Sequence, residues 1–397
     1  MQIGSHRFDR MELSGSLGDL GTLVPMAVGL MVICGLGATP VLLMIGVFYM
    51  AGGVYFKLPI PVQPLKVVSA LAIASPALAT VPVLAATGMI FGVVLIVLAY
   101  SGSIDRIAAL FTRPIVRGIQ LGLGFILMTK GIAFITAPGI FLPTMAAYGE
   151  PTLAGLPLNT VVGVAGAMLG LMLLSNRHAP AALALVAGGI AFGVAMGALR
   201  FTPIALGPTP IELQHPSMNE YMSAFVLFVI PQIPLTLGNA VMGTTDTCCT
   251  LFGPGEKTRR CTNRGFSASM GLVNVAAGLI GAMPMCHGAG GLAAHYRFGA
   301  RTGGSNIMIG AVFVILALLF GRMAIGLLGA MPQAILGVLL LYAGLELALL
   351  VRDVTEKRDL FVAFLIAGIG LATVNMALAF GCGMLAQWII RAARVEV

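Results

Sequence analysis

Charge is what this sequence has least of. Only 9% of its 397 residues are charged, against 58% hydrophobic, and the mean hydropathy is +1.01. A soluble domain carries roughly 25% charged residues, so most of the chain is excluded from water. It also lacks any polar block long enough for a soluble catalytic, regulatory or nucleic-acid-binding domain. The six cysteines, Cys34, Cys248, Cys249, Cys261, Cys286 and Cys382, form no C-x-x-C pair. That removes the common zinc and redox frameworks and leaves them as small apolar fillers. Polar Met1–Glu12 has neither the apolar core nor the small-residue cleavage site of a secretory signal, so insertion is expected to begin with the first span. No glycine-rich run closes on Gly-Lys-Ser/Thr, so no nucleotide phosphate loop is expected. Neither a Ser-His, a paired-Asp nor a metal-ligand constellation appears, and the reading is not an enzyme, with no metal and no cofactor. The net charge of +8 does not point to nucleic acid, because in a membrane protein the placement of cations outweighs their sum.

What is abundant is long apolar sequence. A membrane-crossing helix needs about 20 such residues. The chain reads as an all-α integral membrane protein with spans at Leu13–Cys34, Pro40–Phe56, Leu58–Ser75, Pro82–Ser101, Pro114–Thr136, Thr160–Leu174 and Ala179–Leu199. After a polar stretch holding Glu212, His215 and Glu220, further spans follow at Tyr221–Thr244, Gly265–Ala282, Pro284–Tyr296, Ser305–Phe320, Pro332–Leu350, Leu360–Met376 and Ala377–Ile390. The third and tenth are too short for ordinary spans, and the last two share one apolar run. Fourteen crossings from a cytoplasmic N-terminus place Arg7, Arg10, Lys57, Arg106, Arg113, Arg117, Arg177, Lys257, Arg259, Arg260, Arg264, Arg297, Arg301, Arg352, Lys357, Arg358, Arg391 and Arg394 inside. Only Lys130, Arg200 and Arg322 fall outside, the asymmetry that the positive-inside rule demands. Fusing the last two spans would send Arg391 and Arg394 outside, so both termini are expected to be cytoplasmic.

Seven spans per half is odd, so the second half enters inverted. Residues 1–200 and 201–397 then form two inverted repeats, as in secondary transporters. Asp19 and Gln232, Pro61 and Pro284, Pro114 and Pro332 recur at offsets of roughly 220 residues. Pro59, Pro61 and Pro64 cannot share a helix interior. The chain before Leu65 is therefore expected to be extended, with Pro64 in the first turn of a helix. A second helix is expected to start near Cys286, and the segment Pro231–Asn239 to interrupt the eighth span. In hydrocarbon such backbone persists only where it lines a cavity or is buried in protein. Two helix N-termini meeting at mid-membrane present free N–H groups and positive dipole ends, a site for an anion.

Individual residues around these breaks admit two readings each. Gln63 and Gln232 either donate to an oxyanion or satisfy broken backbone nearby. Lys66, a cation placed within a span, marks function by default; it either neutralises the substrate or pairs with Asp19, the pairing being favoured. His287 either donates to the anion and titrates near neutral pH or caps its helix, whereas His295 is expected at the interface. Ser14, Ser16, Thr22, Thr236 and Asn239 either add donors or join spans.

The stretches ELSGSLGDLGT at Glu12–Thr22, PIPVQPLK at Pro59–Lys66, PQIPLT at Pro231–Thr236 and MPMCHGAGGLAAHYRFGA at Met283–Ala300 resemble the molybdate transporter family, a branch related to the sulfate permeases. The resemblance runs from residue 12 to about 350 and implies a uracil-permease-like fold of two inverted repeats. It further implies a core domain from spans 1–4 and 8–11, a gate domain from spans 5–7 and 12–14, and a homodimer. No soluble C-terminal regulatory domain is expected. Its implied function is secondary active transport of a tetrahedral oxyanion across the cell membrane, molybdate before sulfate or tungstate, by an elevator motion that protons on Asp19, His287 or Glu346 can drive. The expected substrate contacts are Gln63, Leu65, Lys66, Gln232, Thr236, Cys286, His287 and Gly288, supported by Asp19, Ser16 and Asn239. In nucleobase permeases the region matching Gln232 carries a carboxylate, so an amide disfavours that alternative. An anion channel using the same helix ends is the rival from another class.

Overall fold

Apolar runs in a medium without water must satisfy their backbone internally, and helix dominates accordingly. A computed structural model describes residues 2–108, 110–142, 150–173, 181–198 and 205–393. After a hairpin of β1 (Gln2–Ile3) and β2 (His6–Arg7) come α1 (Arg10–Ser16), α2 (Leu20–Ile33) and α3 (Ala38–Phe56). Then follow β3 (Gln63–Pro64), α4 (Lys66–Ala74), α5 (Val81–Ser101), α6 (Ile104–Ala108) and α7 (Arg113–Thr136). A second hairpin, β4 (Thr152–Leu153) with β5 (Leu156–Pro157), leads to α8 (Leu158–Leu173) and α9 (Ala181–Ala195). The second half holds α10 (Met218–Ala224), α11 (Ile230–Leu235), α12 (Thr244–Phe252), α13 (Asn263–Leu279), β6 (Met285–Cys286) and α14 (Ala289–Arg297). It ends with α15 (Gly304–Gly329), α16 (Gln333–Ala348), α17 (Lys357–Thr373) and α18 (Met376–Ala392). Each of the fourteen predicted segments carries a helix. Arg177, Arg200 and Arg394, and the outer ends of the seventh predicted span, lie outside the described residues.

Among the described residues, six helices are long and apolar enough to cross a bilayer, and the pair α1–α2, bent by 48°, makes a seventh. The first span is thus broken at Leu17–Asp19. The eighth span corrects the expectation. α10, α11 and α12 run on through π-helical turns at Phe225–Val229 and Thr236–Gly243, with no unwound backbone. Pro231 and Pro234 remove ladder donors, and a widened π turn absorbs that loss without opening the helix. Pro64 is the second correction. It lies in β3, and α4 opens at Lys66.

The described chain divides into two units, each drawing segments from both halves. The first comprises Met1–Pro61, Met128–Glu212 and Ala294–Ala343. Its α1 is capped by Asp9, whose carboxylate is held below the ordinary range by the hydrogen bond from the Glu12 N–H. The buried Glu12 carboxylate accepts from the N–H groups of Arg301 and Thr302 and from Thr302 Oγ1 at 3.0–3.2 Å. In this unit α3 lies against α15 so closely that a Cβ on Gly46 would stand 2.6 Å from Gly310 O, and one on Gly53 2.6 Å from Gly303 O. The second unit comprises Val62–Leu127, Leu213–Ala293 and Gly344–Val397. There α5 and α13 repeat the pattern: a Cβ on Gly271 would stand 2.9 Å from Gly92 O, and one on Gly278 2.5 Å from Ala85 O. Small residues at seven-residue spacing let helix backbones meet where no hydrophobic effect drives association.

Candidate functional site

The second unit contains most of the residues singled out in the sequence. β3 and β6 pair antiparallel, Gln63 opposite Cys286 and Pro64 opposite Met285, and the Leu65 N–H continues the ladder to Pro284 O at 3.0 Å. Pro64 has no N–H to contribute, which a strand this short tolerates; its carbonyl lies 3.6 Å from Cys286 Sγ. The pairing brings the starts of α4 and α14 to one place. The outer flank of β6 is served as well. The Asn274 side chain of α13 donates to Met285 O at 2.7 Å and accepts from the Met285 N–H at 2.8 Å, standing in for a further strand.

Gln232 reaches the α4 start from α11. Its Oε1 accepts from the Val67 N–H at 2.9 Å and the Val68 N–H at 3.3 Å, and its Nε2 donates to Thr236 Oγ1 at 2.8 Å. Of the two roles open to Gln232, this geometry is the capping one. Two of the α4 N-terminal donors are engaged by it. Gln63 packs over Gly288, where a Cβ would lie 2.3 Å from Gln63 Oε1. His287 directs Nε2 to Ser269 Oγ at 3.0 Å, stacks edge-on against Phe266, and gives its N–H to Met270 sulfur at 3.3 Å. Gln63, Leu65, Gln232, Thr236, Cys286, His287 and Gly288 are buried, while Lys66 and Asn239 are half-buried. Lys66 acts electrostatically on Glu346 of α16 within the same unit.

Asp19 and Ser16 belong to the first unit, both buried, with Ser16 Oγ donating to Leu13 O at 2.7 Å. His295 corrects an expectation there. Instead of lying at an interface it is fully buried, stacked on Tyr49, with Nδ1 3.0 Å from Pro59 O. It and Asn306, bonded to Ile60 O, anchor the extended chain that leads toward β3. Sequence reasoning missed Asn274, Ser269 and the His295 anchor. Asn274 had a visible signal, a lone amide within an apolar run.

A family model described as "Molybdate transporter of MFS superfamily" matches residues 11–127 and 224–347. This chain belongs to the molybdate transporter family. Molybdate transporter 2 of Arabidopsis thaliana is 31% identical over 96% of this chain and 87% of its own length. Molybdate transporter 1 of Chlamydomonas reinhardtii is 30% identical over 94% of this chain and 90% of its own. Among solved structures, the transmembrane domain of a cyanobacterium bicarbonate transporter, BicA, superposes with a TM-score of 0.67 at 15% identity, covering 94% of this chain and 98% of that one. Murine Solute Carrier 26 family member A9, an anion transporter in the inward-facing state, gives 0.69 at 12% identity, covering 100% and 70%. Those two likenesses concern the fold. The molybdate transporter family and these relatives are transporters and not enzymes.

Proposed function

We propose that this chain is a secondary active transporter of a tetrahedral oxyanion, molybdate before sulfate or tungstate, and that the anion binds where α4 and α14 begin. The observation that carries the reading is the β3–β6 pairing, which joins two helix starts from opposite halves of the chain. A helix start offers N–H donors and a positive dipole end to an oxyanion. At the α14 start Gly288 and the following residues supply that backbone; at the α4 start Lys66 adds the formal charge and Gln63 an amide. Gln232, held by Thr236, caps the Val67 and Val68 N–H groups of α4 from the other side. Membership of the molybdate family and two relatives named as molybdate transporters support the choice of ion.

The two glycine-lined helix contacts support an inverted repeat. Gly46 and Gly53 correspond to Gly271 and Gly278, and Gly310 and Gly303 to Gly92 and Ala85, so each contact maps onto the other with the halves exchanged. In this reading the chain crosses the cell membrane fourteen times, and a core of spans 1–4 and 8–11 moves as an elevator against a gate of spans 5–7 and 12–14 held in a homodimer. Asp19, His287 or Glu346 carries the coupling proton. The test is uptake of labelled molybdate into proteoliposomes, competed with sulfate, tungstate and uracil. Competition by tungstate and sulfate but not uracil is expected. Uracil uptake without molybdate uptake would assign the site to a nucleobase permease, and molybdate flux too fast for an alternating cycle would make it a channel.

A further inference from the structure

Beside the open end of the α17–α18 pair lies a cleft of about 300 Å³ that the transport reading does not use. It is lined by Arg358, Asp359 and Val362 from the first turns of α17 and by Gln387, Ile390 and Arg391 from the last turns of α18. Val362, Ile390 and Gln387 are buried and form its floor, while both arginines are exposed at its mouth. Thr112 fixes the floor amide: Gln387 Nε2 donates to Thr112 Oγ1 at 2.7 Å, which leaves its second amide hydrogen for a ligand. α17 is a helix of 17 residues whose N-cap Glu356 makes no side-chain capping bond, so its positive end adds to the field of the arginines. Two guanidiniums face one carboxylate, and a fork of guanidinium donors matches the oxygens of a phosphate.

Its surroundings choose the source of that phosphate. On α18 the single tryptophan, Trp388, is 68% exposed one turn before Arg391, and Leu385 and Ile389 beside it are exposed too. A tryptophan on an apolar helix face marks the headgroup level of a bilayer, and basic pockets between helices at that level on the cytoplasmic side take lipid headgroups. We propose that the Arg358–Gln387–Arg391 cleft is a binding site for the phosphate of an anionic phospholipid headgroup. The site stands apart from the transported ion, so molybdate uptake and lipid retention can succeed or fail separately.

The experiment measures labelled phosphatidylglycerol and phosphatidylcholine retained by detergent-purified protein after gel filtration. Wild-type protein is expected to retain phosphatidylglycerol preferentially, and R358Q/R391Q to lose about tenfold in affinity, the scale of a lost charged hydrogen bond. Asp359→Asn removes the opposing carboxylate and is expected to raise retention, an outcome that misfolding does not imitate. Excess inorganic phosphate should leave the bound lipid in place. Retention unchanged in both the double variant and Asp359→Asn overturns the proposal. Displacement by inorganic phosphate, with no preference between the two lipids, also overturns it and assigns the cleft to a free anion.

Discussion

A side chain at Gly288 must displace Gln63, whose Oε1 would lie 2.3 Å from the added Cβ. The obstructing atom ends a side chain that can swing, so Gly288→Ala should fold and displace the amide. Gln63→Ala should weaken molybdate binding about tenfold to a hundredfold, the cost of a hydrogen bond to a charged group. Gly288→Ala should reproduce much of that loss, and the double variant should add little, since both act on one contact. Additive losses by isothermal titration would separate the two residues. Lys66 poses a sharper choice. Two helix starts can hold an anion without a full lysine charge, which favours pairing of Lys66 with a carboxylate. Yet the Val67 and Val68 N–H groups are already taken by Gln232, so an anion bound at the proposed site would draw more on the lysine. Lys66→Met should therefore lower affinity at least tenfold, the scale of a charged hydrogen bond, and neither Asp19→Asn nor Glu346→Gln should restore it. Recovery of uptake in either double variant would assign Lys66 to that carboxylate instead.

At the scale of elements, the two breaks that build the site differ in how far sequence reveals them. Prolines at 59, 61 and 64, and at 284, announced extended chain before two short helices, because proline chemistry acts locally. The pairing of β3 with β6 was invisible, since its partners stand more than two hundred residues apart and only two residues long on each side. The same distance hid the capping of α4 by Gln232. Pro231 and Pro234 did announce a disturbed helix, but missing donors alone do not distinguish unwinding from π turns. Asn274 is the element-scale support with the largest consequence, holding both backbone groups of Met285. Asn274→Leu keeps the bulk and leaves a buried N–H and C=O unserved, each costing about 1–3 kcal/mol. The melting temperature should fall, and the stabilisation that molybdate is expected to confer on wild type should shrink with it. A variant that melts lower but gains the full molybdate-dependent shift would detach Asn274 from the site.

For the whole molecule, the apolar run after Leu360 decides the orientation of everything before it. One straight helix over Leu360–Ile390 would run about 45 Å, half as long again as the roughly 30 Å hydrocarbon core. The chain instead closes α17 at Val374, in the left-handed region at φ 52°, and restarts α18 at Asn375, whose side chain accepts from the Leu378 N–H at 3.0 Å. A β-branched residue held at positive φ is costly, so the turn between two helices is built in rather than a bend in one. α17 then packs on α18, and Arg358 and Arg391 return to the same end of the pair at the cleft they both line. The charge asymmetry predicts two spans there, and the structure shows two helices joined by a turn. If the chain crosses fourteen times, as proposed, the loop at Glu256–Arg264 and the chain end after Val397 share the cytoplasmic side. Reporter fusions at both places should give cytoplasmic signals in intact cells. An external signal from the terminal fusion, with a cytoplasmic one from the loop, would mean that α17 and α18 do not both cross, and the inverted pairing of the halves would fail with them.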